Sequence, residues 1–502
     1  MKELTPVQKH YVIRTELEFS TTVSMSATYS KNIFDSTNNT SRELLLKTLR
    51  ALIYKHEALR IDFHLNKLEN TQDQSEDWRI KHLDIIAFGD VIEYLDISEL
   101  DSNPVQHAAA NTTTTTTTVN EGFLRYVHSK YRTIKADQQK PLWRLYVVND
   151  TTACFLYNHA LADGMSGVIF HDEFQKTYND IANKKLIIEN DTNEDNGLTD
   201  DIAKQNLYLS DKFVISGLEQ YPLTSEADVI TKKPGTWFIM STLFKHFVVP
   251  YFPTFVQKFI NGPDTFKLTS LPEKKSSCAH LLINIPPEHL SNILKACKSK
   301  DISVSIWLLS ALQFVLKDYF NNLPIHYCIP INLRRLIPVN EQEKYKLGLN
   351  IAGFFSNFNS IDPQANITDG QLISRAQVGT RELRKSLNNN FSDEVQMNGM
   401  LNYVPSVFDY TISEHSTPCE TAFECSNLGF YKPSSRDSDD DLVIKDLVFG
   451  SGGVVGSSVV SLYLVSTPQG GANLQFVTVN SNKEYLSPIK EQFIGVVDTI
   501  LE

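Results

Sequence analysis

His159-Ala-Leu-Ala-Asp163-Gly164 places an imidazole four residues ahead of a carboxylate, with a glycine directly after it. That set of residue types suits acyl transfer from a thioester to a hydroxyl or an amine. The acceptor must lose a proton as it attacks, and imidazole, with an ordinary pKa near ~6.5, takes a proton well around neutrality. The same nitrogen can then return the proton to the departing sulfur. The sequence has no Gly-x-Ser-x-Gly elbow, which favours direct transfer over a covalent acyl-enzyme. The plainer reading, a structural histidine beside a surface aspartate, stays open on the hexapeptide alone.

The elements around it are those such a group needs. Strand-like runs at 142–148 and 153–157, split by the turn cluster Asn149-Asp-Thr-Thr152, predict a hairpin. The second strand runs into His159, and residues 165 to about 181 have helical character. The imidazole should therefore stand at a strand end, with Gly164 permitting a tight turn into the helix. In the second half, 304–320 reads as a buried helix. Runs at 443–448, 459–465 and 474–479, separated by Gly-rich turns, read as strands.

The 502 residues exceed what one core supports. Alternating helix and strand signals predict an α/β (α+β) chain. Expected are an N-terminal domain over 1–200, a connection over 201–275 and a C-terminal domain over 276–502. The threonine run at 112–118 reads as a loop insert, residues 189–201 as the exit from the first domain, and 434–441 as a surface turn. With 47 Lys plus Arg against 59 Asp plus Glu, the net charge of -12 argues against nucleic-acid binding.

The six cysteines are scattered, with no metal-like spacing, and Cys154 and Cys328 sit in apolar runs that predict burial. No secretion signal is read at the N-terminus, so an intracellular, cytoplasmic setting is expected. The aromatic segment 236–249, followed by Tyr251, Phe252, Phe255 and Phe259, is broken by Pro250 and Pro253 and is too short to span a bilayer. It reads first as a core segment. The alternative is an interfacial helix touching a membrane such as the ER, or a lipid droplet.

The segment Phe155-Leu-Tyr-Asn-His-Ala-Leu-Ala-Asp-Gly-Met-Ser-Gly167 resembles the active-site segment of the fungal alcohol acetyltransferases, relatives of chloramphenicol acetyltransferase, the plant BAHD acyltransferases and condensation domains. Ile329-Pro-Ile-Asn-Leu-Arg-Arg-Leu-Ile-Pro338, Glu424-Cys-Ser-Asn-Leu-Gly-Phe430 and Asp446-Leu-Val-Phe-Gly450 resemble further family segments in the same order. Pro141-Leu-Trp-Arg-Leu145 and His56-Glu-Ala-Leu-Arg-Ile-Asp-Phe63 do as well. The stretch Phe449-Gly-Ser-Gly-Gly453 lacks the tryptophan of the plant DFGWG segment.

The resemblance implies two chloramphenicol-acetyltransferase-like domains, each a mixed sheet with flanking helices, and an active-site tunnel between them. It implies acetyl-CoA as co-substrate, with no permanently bound cofactor or metal, and a monomer. His159 would be the general base. Asp163 would pair with Arg334 across the interface through a charge-assisted, bidentate bond. Asn427, helped by Ser426, would donate to the oxyanion, with a simple turn role as the alternative. Gly429 would let backbone approach the tunnel closely. Arg335 reads as a solvated arginine, with contact to CoA phosphates as the alternative.

Three functions follow. The first is O-acetylation of a hydrophobic alcohol, and the second N-acetylation of a hydrophobic, sphingoid-like amine. The third is non-catalytic lipid or sterol binding by the same fold. A carrier-dependent condensation domain ranks lower, because residue 158 is Asn and not a second His.

Overall fold

The computed structural model describes all residues except 1, 35–38, 67–76, 97–105, 108–118, 189–204, 211–214, 216, 230–232, 263, 269–276, 363–368, 434–437 and 454–456. The threonine run, the whole 189–201 segment and residues 434–437 of the 434–441 turn therefore lie outside the described residues.

Asn149 and Asp150 both adopt positive φ, 46° and 59°, a conformation that Asn and Asp tolerate and that closes hairpins. They join Trp143–Val148 to Thr152–Tyr157 in antiparallel register, with Trp143 opposite Tyr157. The following helix, Gly164–Ala182, folds back on this hairpin. Phe170 on the helix stacks on Phe155 of the strand at 3.9 Å, next to Trp143. All three rings are fully buried, and burial of each phenylalanine stabilises the arrangement by roughly 1.5–3 kcal/mol. His171 ties the same helix to the neighbouring strand Val23–Tyr29. Its Nε2 donates to Met25 O at 2.8 Å while Nδ1 accepts from Tyr29 Oη at 2.8 Å.

Two mixed sheets result. The first runs Ile444–Ser451, Val23–Tyr29, Thr152–Tyr157, Trp143–Val148, Ile92–Leu95. The second runs Ile351–Phe358, Ile325–Asn332, Thr421–Phe430, Val460–Thr467, Gly471–Val479, Cys278–Ile285, Gln106–His107. Each has its own apolar core. The second core takes in the helix Val304–Val315, buried around most of its circumference, with Trp307 Nε1 donating to Val497 O at 3.0 Å.

The sheets exchange strands. Ile444–Ser451, from the C-terminal part of the chain, pairs antiparallel with Val23–Tyr29, and Gln106–His107 pairs parallel with Cys278–Ile285. The N-terminal helix Pro6–Glu16 opens with a capping box in which Thr5 and Gln8 satisfy each other's backbone amides. It packs against the helix Val407–His415, with His10 Nδ1 2.8 Å from Thr411 Oγ1. This helix therefore spans from the first half of the chain to the second, at the side where the His159 turn emerges.

The aromatic segment departs from its first reading. The helices Thr236–Phe247 and Thr254–Asn261 contain no buried residue, so neither is a core segment. Among the described residues, no helix is long and apolar enough to cross a membrane. All six cysteines are free, and Cys154 and Cys328 are buried as expected.

Candidate active site

The turn 158–166 is held on every side. Asn158 donates to Ile134 O at 2.8 Å and accepts from Ala160 N at 2.8 Å, while Tyr157 Oη donates to Asp163 O at 2.9 Å. Asp163 is the N-cap of the helix Gly164–Ala182. Its Oδ1 accepts from the amide and the hydroxyl of Ser166, both at 2.9 Å, so the carboxylate meets the positive helix end. Its Oδ2 accepts from Arg334 Nη1 at 2.7 Å and from Asn350 N at 2.8 Å.

Arg334 spends its remaining donors elsewhere: Nε on Tyr345 O at 2.7 Å, and Nη2 on Ser166 Oγ, Lys346 O and Gly348 O at 3.1–3.3 Å. The two side chains do meet between the segments, but through one nitrogen and one oxygen rather than the bidentate fork expected. The guanidinium is divided between the carboxylate and the carbonyls of Tyr345, Lys346 and Gly348.

His159 ends up partly exposed while its neighbours Asn158, Ala160, Leu161 and Ala162 are buried. Its Nδ1 lies 3.2 Å from Ala162 O. A carbonyl only accepts, so Nδ1 bears the proton and the lone pair of the neutral ring sits on Nε2. Nε2 has no hydrogen-bond partner among the described residues. The Tyr11 ring lies 4.7 Å away, and the Arg14 guanidinium lies over that ring at 5.0 Å. Loss of hydration is the main cause that brings the His159 pKa down to about 4. Arg14 pushes the same way, and the nearby carbonyls and Asp163 oppose it. The ring is therefore a neutral proton acceptor throughout the neutral range.

The strand Thr421–Phe430 brings a second set of groups. In parallel register with Val460–Thr467, Ser426 sits opposite Tyr463 and Asn427 opposite Leu464. Tyr463 belongs to the core of the first sheet and Leu464 to that of the second. Strand side chains alternate, so Glu424 and Ser426 face the first sheet, and Leu428, past a bulge, also packs there. Asn427 faces the other way. Its Nδ2 donates to Ser305 Oγ at 3.1 Å, at the start of the helix Val304–Val315, and its Oδ1 accepts from Gly429 N at 2.8 Å. The Asn427 side chain is thus turned toward the second core.

The two glycines exchange reasons. Gly164 has ordinary helical backbone, but a Cβ on it would meet Phe449 Cζ at 2.7 Å and Leu428 Cδ2 at 2.9 Å, so close packing excludes any side chain. Gly429 has φ of +83° and open space around the Cβ position. It is glycine for its conformation, not for close approach. Arg335 is exposed, with its guanidinium over Phe391 at 5.4 Å.

A family model for alcohol acetyltransferases matches residues 3–501. The chain belongs to the alcohol acetyltransferase family. It is an acyltransferase, and membership implies acetyl-CoA as co-substrate. An uncharacterized protein of Schizosaccharomyces pombe is 22% identical over 435 residues, 84% of this chain and 83% of that protein. In structure the family member resembles the trichothecene 15-O-acetyltransferase from Fusarium sporotrichioides, with TM-score 0.64, 10% identity, and coverage of 98% of this chain and 95% of that one. It also resembles the first condensation domain of the calcium-dependent antibiotic synthetase, with TM-score 0.59, 11% identity and coverage of 100% and 97%. These likenesses show a shared two-domain acyltransferase fold.

Several positioning residues of this acetyltransferase escape a reading of motifs. Ser166 was visible as a serine two residues into the helix that Asp163 caps. Gly348 and Asn350, which close the hub from the far side, have no local signal. Gly348 O accepts from Asp163 N at 3.1 Å and from Ser166 Oγ at 2.9 Å, and a Cβ on Gly348 would lie 2.0 Å from Thr224 O. Tyr11 and Arg14 lie nearly 150 residues before His159 and reach it only through the packing of the N-terminal helix.

Proposed function

We propose that the protein transfers acetyl from acetyl-CoA to the hydroxyl of a hydrophobic alcohol by direct transfer, with His159 Nε2 as general base. The observation that carries this reading is the fixed tautomer. Nδ1–H is tied to Ala162 O, the other nitrogen has no hydrogen-bond partner among the described residues, and the ring is partly exposed. Nε2 takes the acceptor's proton as oxygen closes on the thioester carbon, then returns it to the leaving sulfur. Asp163 and Arg334 are positioning residues that hold the turn. Ser426, on the strand face toward the first core, would donate to the developing oxyanion, where one donor is worth about 3 kcal/mol.

One feature favours an amine acceptor as second reading. Glu424 shares the face of Ser426, and its carboxyl sits near Tyr11 and Arg14 with its pKa raised by loss of hydration. A carboxylate there would hold an ammonium group ahead of deprotonation.

The test is free-thiol release from acetyl-CoA with panels of alcohols and amines. His159→Ala should lower acceptor-dependent release by about 10²–10⁴-fold with an unchanged melting temperature. Undiminished turnover would remove the base from His159, and no release with any acceptor would favour a binding protein. Glu424→Gln should depress kcat/KM for amines and leave alcohols unaffected if the amine reading holds.

A further inference from the structure

The helix Thr236–Phe247 is predominantly apolar and Thr254–Asn261 is strongly amphipathic, and apolar helix faces of this kind are ordinarily sheltered from water. Here no residue of either is buried. Trp237 is 81% exposed, Phe247 62%, Tyr251 88%, Phe255 75% and Phe259 91%. At 150–250 Å² per aromatic side chain, these five rings alone present on the order of 600 Å². Trp237, Met240, Phe244 and Phe247 follow the spacing of one helix face, and Phe255 and Phe259 lie one turn apart on the second helix.

The surface is also pre-shaped. Gln257 Nε2 donates to Pro250 O at 3.1 Å and Phe252 O at 2.7 Å, which fixes the corner between the helices. Buried Val249 anchors that corner. At the start, Gly235 N donates to Gln396 Oε1 at 2.9 Å.

Charge selects the occupant. In a chain of net charge -12, residues 233–261 contain Lys233, Lys245, His246 and Lys258 and no Asp or Glu. Lys258 is paired with Asp264 at 2.8 Å just beyond the segment. Exposed aromatics flanked by cations, on helices of 12 and 8 residues, match a surface that enters the headgroup boundary of an anionic bilayer without crossing it.

We propose that this helix pair is an interfacial anchor that docks the enzyme on anionic phospholipid membranes, with Trp237, Phe247, Tyr251, Phe255 and Phe259 inserted. The inference stands apart from the chemistry assigned to His159.

The test uses the full chain with vesicles of phosphatidylcholine alone and of 70:30 phosphatidylcholine:phosphatidylserine, read by flotation and tryptophan emission. Trp78, Trp143 and Trp307 are buried, so a blue shift reports Trp237. Expected are flotation with the anionic vesicles, a blue shift that Trp237→Phe abolishes, and at least about tenfold weaker partitioning of the triple variant Trp237→Ser, Phe255→Ser, Phe259→Ser. That variant alters only exposed side chains and should melt as the parent does. Lys233→Gln with Lys245→Gln should weaken binding to anionic vesicles selectively. Absence of both flotation and blue shift with the anionic vesicles would overturn the proposal. So would a self-associated species in light scattering that the triple variant converts to monomer while the parent leaves vesicles untouched, since the occupant would then be a second copy of the chain.

Discussion

The Asp163 hub and the aromatic helix pair invert the usual partition in opposite senses. In the hub a carboxylate and a guanidinium are almost wholly withdrawn from water, yet both Asp163 oxygens and every Arg334 nitrogen have partners. In the helix pair large apolar rings are mostly exposed, with none buried among the described residues of either helix. The first inversion is stable because it is saturated: each buried charge is spread over several hydrogen bonds. The second is unsaturated and calls for something outside the chain. A departure from polar-outside, apolar-inside thus indicates positioning when its groups are satisfied and an interface when they are not.

The contrast is sharpest in stability. Arg334→Met removes the guanidinium that neutralises the buried Asp163 carboxylate, which keeps only its Ser166 and Asn350 hydrogen bonds, and should cost about 3–5 kcal/mol. Phe255→Ser with Phe259→Ser should stay within about 0.5 kcal/mol per site. Denaturant titration measures both, and a destabilising serine pair would mean that the helices are covered by protein after all. Asp163→Asn should lose stability and also activity, because the turn carrying His159 loosens; wild-type turnover would break the link between hub and base.

Next in size is the pair of neighbours on one strand. Ser426→Ala should lower kcat by about 10²-fold and leave folding intact. Asn427→Ala should cost about 1 kcal/mol of stability, through the lost Ser305 and Gly429 hydrogen bonds, and spare kcat. The reverse pattern would assign the oxyanion contact to Asn427 instead of Ser426.

The pH response follows from loss of hydration at several histidines. The pKa values of His56 and His415 are pushed down to about 3, and those of His159, His171 and His280 to about 4. Below their ordinary value of 6.5 the unfolded chain takes up protons that the folded chain refuses. The histidines' contribution to stability is therefore full above about pH 6.5 and falls toward pH 4, while the buried carboxyls of Glu226 and Asp446, raised to about 7 and about 6 by loss of hydration, oppose that trend. The acid limb of kcat/KM should lie well below 6.5, because His159 stays neutral there; an apparent pKa near 6.5 would contradict the desolvated site. Arg14→Met removes one depressing charge and should shift that limb slightly upward, the smallest of these effects.

Local chemistry was readable from the chain. Asn149 and Asp150 announced the hairpin, and the helical character of residues 165 to about 181 announced the helix. The ordered segments around His159, Arg334 and Ser426 announced the family and the fold. The sequence by itself thus determined that an imidazole leaves a strand end, while the pairing of Asp163 with Arg334 was what the family resemblance implied.

Only the tertiary structure decided how these parts are used. Alternation along Thr421–Phe430 says that Ser426 and Asn427 oppose each other, but the register against Tyr463 and Leu464 decides which one meets the first sheet. Composition gives two glycines, but only the neighbours of Gly164 and the backbone of Gly429 say that one is glycine for space and the other for φ. Apolar content marks 236–261, yet it cannot say whether protein, water or lipid surrounds those rings. In each case the deciding contact comes from residues far away in sequence, and no local pattern encodes it.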